Sequence, residues 1–134
     1  RCGFAVTNKE MHKALMKVKS TYNVNTLTQL IGTAVLRDVE FTRYANNAIV
    51  DSTRELYNGL CRLSGKDFKV YPTAANFVYI ETPRSSEIFE KLGRCGISIR
   101  NYGDALRISA GAPEENAELL KELEEILGED NEKC

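Results

Sequence analysis

Histidine occurs once, at His12, and the four cysteines, Cys2, Cys61, Cys95 and Cys134, stand far apart with no C-x-x-C pair. A zinc site needs clustered ligands, so no metal is expected. A disulfide framework is not expected either; free thiols in a reducing cytoplasm suit these scattered positions. No apolar run approaches the length of a membrane span, and no signal peptide is visible. Internal repeats and low-complexity segments are absent. The net charge of −1 gives no global pull toward nucleic acid or an anionic membrane.

What is present suits one domain-sized core: 134 residues, 43% of them hydrophobic. The charge is unevenly spread. Residues 1–112 hold 16 Lys+Arg against 10 Asp+Glu, whereas residues 113–134 hold 2 against 9. The acidic end reads as the solvated face of a helix. The chain opens RCGFAV, without methionine and already strand-like, as expected of a segment cut from a longer protein.

Residues 3–6, GFAV, read as a short strand. Thr7 and Glu10 have capping-box spacing and Val6 could staple onto Met11, so a helix is expected from there through Leu15 and Val18. His12 lies off its apolar stripe, as a surface residue. The polar break STYNVNT (20–26) ends in N-cap residues, and Leu27, Leu30, Ile31 and Ala34 read as a second helix. A longer third helix carries Phe41, Ala45, Ala48, Ser52, Leu56, Leu60 and Leu63 at steps of three and four, with Gly65 suited to its C-terminal cap. Strands are then expected at FKVY (68–71) and NFVYIE (76–81), a helix from Ser85 to Leu92 ending near Gly93 or Gly96, strands at ISIR (97–100) and ALRIS (105–109), and a last helix opened by Pro113. The fold class is α+β: a small, mainly antiparallel sheet with helices packed on one face.

The stretch ISIRNYGDALRIS (97–109) places two arginines in one hairpin. A four-residue loop NYGD would pair residue 100 with residue 105. Ile97, Ile99, Leu106 and Ile108 then share a buried face, and Ser98, Arg100, Ala105, Arg107 and Ser109 share the other. Arg100 and Arg107 become diagonal neighbours among small residues, able to reach one carboxylate or phosphate as two forks. The alternative is a plain solvated pair, with Asp104 bonded to either arginine.

In this order, RCGFAV, YNVNTLTQ, YPTAANFVYI, GISIRN and LRISAGAPEEN resemble the C-terminal part of a fold-type I (class I/II) pyridoxal-phosphate-dependent aminotransferase, most like histidinol-phosphate aminotransferase. The resemblance runs over essentially the whole chain. It implies that residues 1–37 end a large cofactor-binding domain with its linking helices, and that residues 38–134 form the small C-terminal domain. It assigns Arg1 to the phosphate of pyridoxal 5'-phosphate, and Arg107, helped by Arg100, to the anionic end of the substrate. That substrate would be histidinol phosphate, with 2-oxoglutarate and glutamate as the amino-group partners, in a cytoplasmic homodimer. The apolar stripe from Phe41 to Leu63 would belong to the spine joining the two domains. The family's Schiff-base lysine precedes the equivalent of Arg1, and none of the nine lysines here stands in that motif. No catalytic residue is therefore expected in this chain, and the chain by itself is expected to be inactive. Ala112 departs from the family's threonine at the start of the last helix, a loss of an N-cap worth about 0.5–2 kcal/mol. Asn101 replaces the commoner aspartate. Two other readings share the clamp: a threonine-phosphate decarboxylase, and a stand-alone anion-binding regulatory domain.

Overall fold

The computed structural model describes residues 3–65 and 67–128. Its elements are α1 (Lys9–Val18), α2 (Thr26–Arg37), α3 (Val39–Arg62), β1 (Lys69–Tyr71), β2 (Phe77–Glu81), α4 (Ser85–Arg94), β3 (Arg100–Asn101), β4 (Ala105–Ser109) and α5 (Pro113–Gly128). The chain divides into two compact units, Arg1–Ala45 and Asn46–Cys134, and the division falls inside α3, beyond the break expected after residue 37.

In the first unit the strand expected at residues 3–6 does not form. A strand exists only through its ladder, and no strand is present among the described residues of this unit. Val6 is 92% exposed and staples nothing down. The N-cap of α1 is Asn8 and not Thr7: the Asn8 Oδ1 accepts from the Met11 N–H at 2.8 Å. The two residues are adjacent, and asparagine is the stronger cap. Asn25 caps α2 in the same way, accepting from the Thr28 N–H at 2.8 Å, and the Asp38 carboxylate accepts from the Phe41 N–H at the start of α3. The apolar residues recur at the expected helical spacing, yet α1 and α2 contain no buried residue.

The second unit is an α+β layer. Its four strands are all antiparallel, in the order β1-β2-β4-β3. Val78 and Ile80 of β2 and Leu106 and Ile108 of β4 point to one face. There they meet Leu56 and Leu60 of α3, Ile88 and Leu92 of α4, and Leu119, Leu123 and Ile126 of α5. The helices thus cover one side of the sheet only. Gly59 lets α3 come close to α5, since a Cβ there would run into the Leu120 side chain. The third helix ends at Arg62, so Gly65 is not its cap; Gly65 instead forms an isolated bridge with Phe68.

Helix α4 ends in a Schellman arrangement. Gly96 has φ +82°, its N–H donates to the Gly93 carbonyl, and the Ile97 N–H donates to the Leu92 carbonyl. This corrects the expected strand at residues 97–100. The Ile97 N–H is consumed by the helix end, and the ladder begins only at Arg100. The hairpin register is corrected as well. Arg100 pairs with Arg107 and Asn101 with Leu106. The Tyr102 N–H donates to the Ala105 carbonyl, which leaves a two-residue loop, Gly103-Asp104, in place of the expected NYGD. Gly103 has φ +95°, a left-handed backbone conformation open to glycine because it lacks a Cβ. The slip is two residues, so the side chains that do pair keep their expected faces.

Candidate functional site

The sheet face opposite the helices carries a row of four directly paired residues: Tyr71 pairs with Tyr79, Tyr79 with Arg107, and Arg107 with Arg100. The arginines are therefore opposite each other and not diagonal, with Cβ atoms about 4.5–5.5 Å apart. Neither forms an ion pair among the described residues, and Asp104 pairs with neither. Arg100 is exposed and Arg107 half-buried. The Arg107 Nε is buried and has no hydrogen-bond partner. Its guanidinium carbon lies 5.0 Å from the centroid of the Phe77 ring. The third arginine expected at a phosphate, Arg1, lies outside the described residues.

The hairpin that bears the pair is fastened at both ends. At its tip, the Thr82 N–H donates to the Asp104 carbonyl, the Ser85 hydroxyl donates to the Gly103 carbonyl, and the Asn101 side chain accepts from the Gly103 N–H. At the other end, Asn116 is buried and accepts from the Gly111 N–H at 2.9 Å, while its own amide donates to the Ser52 Oγ at 2.8 Å. The Ser52 hydroxyl donates to the Gly111 carbonyl at 2.6 Å. The last residue of the APEEN stretch thus locks the turn that follows β4 onto α3.

The aromatic neighbours were not among the expected site residues. Tyr79 stacks edge-on with Tyr71 at 5.8 Å and lies 6.5 Å from Tyr102. The Tyr71 hydroxyl donates to Glu81, and Lys69 sits 4.6 Å over the Tyr71 ring. The alternation in FVYIE, with Val78 and Ile80 inward, already implies that Phe77 and Tyr79 face out. That they flank Arg107 depends on the β2–β4 pairing.

An antiparallel sheet backed by helices, with two guanidinium groups side by side and without an ion-pair partner among the described residues, defines an α+β domain. The family model for aminotransferase class I and II matches residues 1–123, and the chain belongs to that family. It is 39% identical over 132 residues to histidinol-phosphate aminotransferase 1 of Carboxydothermus hydrogenoformans, covering 95% of this chain and 37% of that protein. The chain spans 35–37% of the length of such relatives. Among solved structures, it resembles the histidinol-phosphate aminotransferase of Sinorhizobium meliloti in complex with pyridoxal-5'-phosphate, with TM-score 0.70, 20% identity, and 88% of this chain and 34% of that one covered. It also resembles the L-threonine-O-3-phosphate decarboxylase of Porphyromonas gingivalis, with TM-score 0.71, 22% identity, and 91% and 40% covered. These two likenesses bear on the fold alone.

Proposed function

We propose that this chain is the C-terminal part of a pyridoxal-phosphate-dependent aminotransferase that moves an amino group between histidinol phosphate and 2-oxoglutarate, with Arg107 and Arg100 holding the substrate phosphate. The observation that carries this reading is the directly opposed arginine pair with no carboxylate partner among the described residues. Two guanidinium groups bring a charge of +2. A phosphate monoester brings about −1.5 to −2 and three terminal oxygens, enough to accept from both forks. A carboxylate brings one charge and is satisfied by a single fork.

In this reading Arg1 anchors the cofactor phosphate, residues 1–37 continue the large domain, and residues 38–134 form the small one. In this reading the Schiff-base lysine of the parent precedes Arg1, and the lysines described here have other settings. Lys69 is engaged by Tyr71 and Glu81, Lys91 by Glu87 and Lys121 by Glu125, while Lys9, Lys13 and Lys17 are exposed along α1. Pyridoxal phosphate, bound by the whole homodimeric enzyme, supplies the electron sink for chemistry at the amino carbon. This chain's arginines supply grip and orientation.

The test uses the full-length parent with an Arg107→Ala variant. The KM for histidinol phosphate should rise about 10- to 100-fold, the range for a hydrogen bond to a charged group. An unchanged KM would overturn the clamp. The same clamp would serve a second reading, decarboxylation of threonine phosphate, and assaying the parent with that substrate separates the two. Phosphate binding without turnover of either substrate would instead favour a regulatory domain.

A further inference from the structure

We infer that Phe77 is a positioning residue for the clamp: its ring fixes the plane of the Arg107 guanidinium and so decides which N–H groups meet the phosphate. The inference rests on the clamp reading above. Phe77 pairs with Ser109 and Tyr79 with Arg107, so Phe77 is the diagonal neighbour of Arg107 on the same face. At that separation a ring and a long side chain reach each other. The guanidinium carbon 5.0 Å from the ring centroid is within the range of cation–π attraction. One side of the guanidinium is therefore occupied by protein.

The buried Nε adds a second, independent observation. Arg107 Nε is the one buried side-chain nitrogen or oxygen among the described residues that lacks a hydrogen-bond partner. A guanidinium swinging freely toward water would satisfy that N–H; here the side chain stays folded over the ring with the N–H enclosed. Enclosing an unsatisfied polar group is unfavourable, so other contacts must hold the side chain down, and the Phe77 ring supplies a cation–π contact that does so. The consequence is chemical. The side-on fork, which uses Nε and one Nη, is closed to a ligand. The end-on pair, Nη1 and Nη2, is left for the phosphate, and Arg100, directly opposite, supplies the other fork. Arg100 has no such ring contact among the described residues, so Arg107 is the oriented member of the pair.

Phe77→Leu and Phe77→Tyr in the full-length enzyme, assayed with histidinol phosphate and with unphosphorylated histidinol, provide the test. Loss of the ring should raise KM for the phosphorylated substrate about 3- to 30-fold, the span of a cation–π contact, and leave kinetics with histidinol unchanged. Phe77→Tyr, which keeps the ring, should behave as wild type. An equal loss with both substrates, or no loss with either, would overturn the positioning role. If Arg107→Ala leaves the discrimination between phosphorylated and unphosphorylated substrate intact, the clamp itself is wrong, which is a separate failure. Should Phe77→Leu fold poorly, the 15N-labelled 134-residue chain gives a second measurement. The Arg107 Nε–H resonance should be displaced by the Phe77 ring current, and a resonance at the position of an unstructured arginine would refute the contact.

Discussion

Arg100 and Arg107 face each other directly across β3 and β4, and neither is ion-paired among the described residues. Directly opposed like charges destabilise a ladder by about 0.2–1 kcal/mol, so the pair weakens the domain unless an anion joins it. Arg100→Gln should therefore raise the melting temperature of the chain at low ionic strength. The gain should shrink in 1 M salt, where the Debye length is about 3 Å. Inorganic phosphate should stabilise the wild type more than the variant. Thermal melts under the three conditions check all of this, and a variant less stable than wild type at low salt would contradict it.

Helix α5 begins without a capping side chain. The Glu115 carboxylate accepts from the Ala112 N–H at 2.7 Å, which is one half of a capping box. A hydroxyl at position 112 would complete it. Ala112→Thr should stabilise the chain by about 0.5–2 kcal/mol, read as a higher urea midpoint with the same slope.

Glu87 accepts from Arg84 at 2.9 and 3.1 Å and is ion-paired with Lys91 at 2.9 Å. The Arg84 hydrogen bonds, followed by that of Lys91, lower its carboxyl to a pKa of about 2. The folded value lies below the unfolded one, so this stabilisation is present above the ordinary carboxylate range and is lost as pH falls toward 2. The Glu87 side chain is 41% exposed, and solvent screening keeps the effect to about 1 kcal/mol or less. Glu87→Gln should be less stable than wild type at pH 7, and the gap should narrow steadily in urea titrations between pH 5 and 2.

The sequence made the faces of the hairpin legible but not its register. Alternation in ISIR and ALRIS has a period of two, so it fixes which side each residue faces and is blind to a slip of two residues. The turn decides the register, and that choice depended on Gly103 taking a positive φ, which four polar loop residues do not announce. The third helix and β2 were readable from spacing alone. The first strand was not, because four apolar residues without a partner strand have no ladder to join. Phe77 was visible as an outward-facing residue, but its contact with Arg107 joins positions thirty residues apart in sequence and required the β2–β4 pairing.

The strand order gives the two arginines different lifetimes. Arg107 stands on β4, which is bonded to β2 on one side and β3 on the other, while Arg100 stands on a two-residue strand at the sheet edge. Edge segments open locally at lower free energy than strands held on both sides. An anion gripped by both arginines would therefore leave by the lifting of β3 and not by any loosening of β4. Its dwell time would be set by two ladder pairs, not by the stability of the whole domain.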